Sequence, residues 1–136
     1  MKYRKGYKYQ LAADEVIICP FAPDTDIVTE YIRFNTDGIL WGKSGYAWDG
    51  PSGPTFSDTT NIRGSLYHDM LSQLARMGLL PFTFKGRVDQ FFVDTCMQDG
   101  MSHFRAEMYY DALHLVDDYF TAGNEPYPVF EVGHYT

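Results

Sequence analysis

A histidine followed at once by an aspartate stands in the stretch Arg63-Gly64-Ser65-Leu66-Tyr67-His68-Asp69-Met70-Leu71, and a further carboxylate, Asp89, follows on the next apolar segment. These residue types can do acid–base chemistry. If Asp89 binds one imidazole nitrogen, it fixes the tautomer, and the other nitrogen can take a proton from water. Asp69 points about a quarter-turn away on the same helix and is placed to hold a cation instead. Upstream, the turn-rich loop Trp48-Asp49-Gly50-Pro51-Ser52-Gly53-Pro54 presents backbone groups that regular structure would have consumed. With carbonyls from the Asp49-Gly50 loop, Asp69 would complete an oxygen-ligand site of the kind calcium favours. Such a cation would stabilise an oxyanion. The set describes ester hydrolysis by activated water, with neither serine nor cysteine as nucleophile. The plainer alternative is a satisfied polar network inside a helical core.

Three helices must position these groups. The first is expected from about Ser65 to Met77, closed by Gly78, with Tyr67, Met70, Leu71, Leu74 and Met77 as its apolar stripe. His68 sits on the flank of that stripe among the small residues Ser65, Ser72 and Ala75. Leu79 to Phe84 is too short and proline-broken for another helix. The second helix is expected over roughly Gly86 to Gln98, and Asp89 shares its apolar side with Phe92, Val93 and Cys96. An unpaired carboxylate there would cost several kcal/mol. Arg87 cannot relieve it, because neighbours two apart on a helix do not meet. In an antiparallel helix pair the nearest inward donor is His68. The third helix is expected over about Ser102 to Phe120, with Phe104, Met108, Ala112, Leu115 and Tyr119 buried. Glu107, Asp111, His114 and Asp118 lie opposite and read as a solvated acidic face, although their spacing could also ligate a metal.

Residues 1 to about 48 read as β. Tyr7 to Leu11 and Glu15 to Pro20 are short candidates. Ile27 to Phe34 alternates as one strand, with Val28, Ile32 and Phe34 on one face. Asn35-Thr36-Asp37-Gly38 signals a tight turn that returns Ile39-Leu40-Trp41 as a hairpin partner. The expected fold class is α+β: a small N-terminal antiparallel sheet, a glycine-rich loop over 49–64, three helices over 65–120 and a tail over 121–136. A short strand is expected near Val129 to Val132.

At 136 residues the chain is read as one domain, 1–136, large enough for a core without staples. Ten Phe and eleven Tyr exceed what one small core hides, so some rings are expected to face a partner, a second copy or a ligand. The formal charge of −7 argues against nucleic acid and against anionic membrane as partners. Lys2, Arg4, Lys5 and Lys8 nevertheless crowd the first eight residues, between Tyr3, Tyr7 and Tyr9. Cys19 and Cys96 form no disulfide framework or metal-finger spacing, and no run reaches membrane-spanning length, so a reduced cytoplasmic setting is expected.

At these residues the chain resembles a phage- and prophage-encoded family, domain of unknown function family 1353 (DUF1353). The likeness rests on Asp49-Gly50-Pro51-Ser52-Gly53-Pro54, on His68-Asp69-Met70-Leu71, on Arg87 with Asp89, and on Met108-Tyr109-Tyr110. It spans about Gly45 to Phe120. A more distant resemblance is to small secreted phospholipases A2, above all their bacterial branch, through the glycine-bearing loop, the His-Asp helix and Arg87-Val88-Asp89-Gln90-Phe91-Phe92. It implies a phospholipase A2-like core with His68 as general base, Asp89 as its orienter, and Asp69 with Asp49 and Gly50 as calcium ligands. The chain departs from those enzymes in its cysteines, in Ser72 where a tyrosine is usual, and in Pro51, which removes a loop N–H.

Two functions therefore stand side by side. One is a calcium-dependent His-Asp hydrolase acting on an ester or lipid. The other is a non-catalytic phage structural or accessory protein, host-cytoplasmic or virion-associated, that works through self-association or contacts with other phage proteins.

Overall fold

Short strands separated by turn residues fill the first part of the chain, and three helices fill the second. The computed structural model describes residues 9–50 and 58–114. They fall into two units, with the chain boundary between Asp49 and Gly50. The expected α+β class is observed.

The first unit holds six strands: β1 Tyr9–Gln10, β2 Glu15–Ile18, β3 Ile27–Val28, β4 Ile32–Phe34, β5 Ile39–Gly42 and β6 Ala47–Trp48. Strands β2-β5-β4-β3 form one antiparallel sheet in that order, and β1 pairs with β6 in a second. The turn at Asn35–Gly38 is as its residues predict. The Asn35 side-chain Oδ1 accepts from the Asp37 and Ile39 amides, each at 3.0 Å, and Gly38 takes φ +85°, which L side chains avoid.

One expectation fails here. Ile27 to Phe34 is not one strand but two, because Thr29 to Tyr31 turn the chain back so that Ile27 pairs with Phe34 and Val28 with Arg33. The Thr29 hydroxyl ties this turn, donating to the Ile32 carbonyl and accepting from its amide, both at 2.9 Å. Reversal breaks the alternation, so Ile32 and Phe34 are buried while Val28 is exposed.

The second unit is α1 Ile62–Arg76, a 3-10 turn Phe82–Phe84, α2 Lys85–Gln98 and α3 His103–His114. Helix α1 starts a turn earlier than Ser65, which shortens the preceding loop. Its expected stripe is correct for Tyr67, Met70, Leu71 and Leu74, all fully buried. Met77 lies beyond the last turn and is exposed. Ser65, His68, Ser72, Gln73 and Arg76 are buried too, so α1 is covered nearly all round.

Helices α1 and α2 run antiparallel. Arg63 grips Asp99 through Nε and Nη2, both at 3.0 Å, near one end, and His68 meets Asp89 farther along. Gly64 is a point of close approach. A Cβ there would meet Cys96 Sγ, Phe92 Cδ1 and the Phe92 carbonyl oxygen, each at 3.1 Å.

Helix α3 turns a different face inward from the one expected. Ala106 and Tyr109 are buried with Phe92, Val93, Cys96 and Met101, whereas Phe104 is 74 % and Met108 57 % exposed. The helix carries two apolar rows of equal spacing. Asn61 and Phe92 select one of them, Asn61 by donating to the Tyr109 hydroxyl at 3.2 Å and Phe92 by packing edge-on against the Tyr109 ring. Leu115, Tyr119 and the expected helix end at Phe120 lie outside the described residues, as does the strand near Val129 to Val132.

The contact at Gly64 predicts a sign. Gly64→Ala should lower the free energy of unfolding by about 1–3 kcal/mol, because backbone on α2 has to give. Gly86→Ala on α2, where a Cβ meets nothing within 4 Å, should raise it by about 0.4–1 kcal/mol. Urea denaturation of both variants checks the pair.

Candidate functional site

Asp89 projects from the second turn of α2 into the core, where only 1 % of it remains exposed. A charge so placed needs donors for both oxygens. The first comes from α1: His68 Nε2 lies 2.8 Å from Asp89 Oδ1. The second comes from Asp89's own helix, one turn back, where Lys85 Nζ donates to Oδ2 at 2.6 Å. Lys85 also donates to the Leu113 carbonyl on α3 at 2.9 Å. The carboxylate thus gathers groups from all three helices.

These contacts settle its charge. Burial alone would push the Asp89 carboxyl up and is the largest single influence. The hydrogen bonds from His68 and Lys85, with the charges behind them, outweigh it and hold the group below the ordinary aspartate range. The negative charge is balanced by Lys85, and the imidazole adds a hydrogen bond. An ionised carboxylate only accepts, so the proton of this contact belongs to Nε2, and Nδ1 is the nitrogen turned away from Asp89. The Phe92 ring stands edge-on to the imidazole at 5.5 Å between centroids, holding its plane.

The expected pairing of His68 with Asp89 is therefore present. Arg87 is not a partner of Asp89; it is exposed, with its guanidinium over the Phe84 ring at 4.1 Å. Lys85 was not expected from the sequence, yet its signal was legible, since Lys85 and Asp89 are four apart on one helix face. The anchoring of the segment before α1 was also missed. There Arg105 pairs with Asp58 at 2.8 Å, and Asn61 Oδ1 accepts from the Asp58 amide at 2.9 Å.

The expected calcium ligands are spread along the chain. Asp69 lies on α1, partly buried. Asp49 is exposed just after β6 and ends the first unit, and Gly50, at φ +95°, begins the second. Residues 51–57 of the loop are outside the described residues. Among the described residues no three His, Cys, Asp or Glu side chains are grouped to hold a metal ion. On α3, Glu107 and Asp111 are exposed, and Glu107 meets His103 at 2.9 Å, as a solvated face would. The two cysteines are buried, their thiols pushed up to about 12 by desolvation, which keeps them protonated and unreactive.

Asp89→Asn should cost about 3–5 kcal/mol of stability, because it leaves the Lys85 ammonium without its buried counter-charge. The acid limb supplies a second reading. The folded-state value is depressed, so the stabilisation from Asp89 is complete above its unfolded value of about 3.9 and is lost as pH falls through the folded value. Denaturation at neutral pH and at successively lower pH should show the gap between wild type and variant closing only in acid.

No protein-family model, curated protein or solved structure matches the chain, so the chemistry of these side chains has to carry its functional reading.

Proposed function

We propose that the chain is a His-Asp hydrolase that cleaves an ester or lipid substrate, using water as the nucleophile. The observation that carries this reading is the 2.8 Å contact of Asp89 with His68 Nε2. It orients the ring and directs the basic nitrogen, Nδ1, away from the carboxylate. In the proposed reaction Nδ1 takes a proton from water as the oxygen attacks the ester carbonyl. The tetrahedral intermediate then expels the alcohol, which leaves with that proton returned from the imidazolium, and the acid remains. On the phospholipase-like resemblance the same reading assigns Asp69 to calcium, which would supply positive charge for a developing oxyanion. We further propose, from the sequence motifs shared with the phage-encoded family alone, that the activity belongs to an infected host cell or to the virion.

A second reading has its own support. Lys85 already neutralises Asp89, so the three side chains form a satisfied network that a non-catalytic phage structural or accessory protein would keep for its fold alone.

Release of fatty acid from mixed phospholipid micelles separates the two. Wild type should release it, and His68→Asn, which removes the proton acceptor, should be slower by about 10²–10⁴-fold. If wild type releases none from lipids of several headgroups, the hydrolase reading is lost. Stoichiometric copies in purified virions would then favour the structural one.

A further inference from the structure

Residues of α2 and α3 line an open groove of about 340 Å³. This lies within the size range of sites that take a ligand or a side chain of a partner. Val93, Met97 and Ala106 give it an apolar floor, and Glu107 and Asp111 stand on its rim. Among the described residues no lysine or arginine lines it. The one cationic candidate on the rim is His103, which is itself exposed and set against Glu107 at 2.9 Å. Just beyond the two carboxylates, on the outer face of α3, Phe104 and Met108 are largely exposed. A surface of this kind fits a segment that alternates cations with aromatic rings and carries no acid.

The chain contains such a segment. Residues 1–8 hold Lys2, Arg4, Lys5 and Lys8 with Tyr3 and Tyr7, and neither Asp nor Glu. The remaining residues have seven Lys and Arg against 18 Asp and Glu, a balance of −11. The charge of the molecule is therefore divided between a short basic end and an acidic remainder. Extended, seven residues span roughly 25 Å, more than the roughly 18 Å length of the 12-residue helix α3.

We propose that the α2–α3 groove is the docking site for the basic, tyrosine-bearing segment Lys2–Lys8 of a second copy of the chain. Cations of the segment meet Glu107 and Asp111, displacing His103 from Glu107, while a tyrosine ring covers the apolar floor. The contact is head-to-tail, so each copy offers both a segment and a groove, and assembly continues beyond two unless the ring closes. This surface is separate from His68 and Asp89 and does not depend on whether they are catalytic.

Sedimentation velocity of the full chain over a concentration series, at low and at high salt, tests it. At low salt the mass should rise with concentration above the 15.6 kDa of one chain, and high salt should return it to one chain. The double variant Glu107→Lys/Asp111→Lys should associate at least tenfold more weakly. Non-specific association would move the opposite way, because that variant changes the net charge from −7 to −3 and relieves repulsion between copies. Adding Lys2→Glu, Arg4→Glu, Lys5→Glu and Lys8→Glu to the groove variant should restore association. Both groove positions are exposed, and an unchanged thermal melt verifies the fold. Wild type that stays at the mass of one chain throughout overturns the proposal. So does a groove variant that associates as strongly as wild type, or a compensating variant that fails to recover.

Discussion

A carboxylate with 1 % of its surface exposed is the constraint around which the helical unit is arranged. Asp89 cannot be left without partners at an acceptable cost, and its two oxygens are satisfied from different directions. His68 reaches one from α1, and Lys85 reaches the other from the turn below while also holding the end of α3 through the Leu113 carbonyl. The relative register of α1 and α2 follows from this. Slide either helix by a turn, about 5.4 Å, and the imidazole no longer reaches the carboxylate. Gly64 permits the close approach that brings the two within hydrogen-bond distance, and the Arg63–Asp99 pair fixes the far end of the same interface.

The same geometry serves chemistry and folding, which is why the site admits two readings. A dyad built for proton transfer needs the imidazole held in one tautomer with its plane fixed, and Asp89 and Phe92 provide both. A polar network that only specifies a core needs every charge balanced, and Lys85 provides that. Burial strengthens each hydrogen bond in either case, because water competes poorly for it. What separates the readings lies at Nδ1, the nitrogen directed away from Asp89.

The parts of this arrangement legible in the sequence were those decided by helix periodicity and by the cost of buried charge. Asp89 on an apolar stripe demanded a donor, and His68 on the facing helix was the nearest one. Arg87 is the nearer cation in sequence but lies off the Asp89 face, whereas the spacing of four from Lys85 to Asp89 states the pairing directly. The turn at Asn35–Gly38 was legible because its residue types allow few other conformations. Ile27 to Phe34 was misread because its alternation is interrupted by Thr29 to Tyr31, a turn without glycine or proline to announce it. Helix α3 was misread for another reason. Two apolar rows of equal spacing compete there, and long-range contacts of Tyr109 with Asn61 and Phe92 decide between them. The unexpected outcome is that Phe104 and Met108 stand outside, beside a groove edged with carboxylates.

The central claim is that Asp89 fixes the proton of His68 on Nε2 and leaves Nδ1 as the basic nitrogen. Long-range proton–nitrogen correlation on the histidine-labelled protein, above the pH at which the imidazole titrates, reads this directly. The account predicts a protonated Nε2 and an Nδ1 with the shift of a bare imidazole nitrogen, and in Asp89→Asn a loss of that fixed preference. A wild-type spectrum with the proton on Nδ1 and a bare Nε2 would contradict it, because an ionised carboxylate has nothing to accept from a nitrogen without a proton.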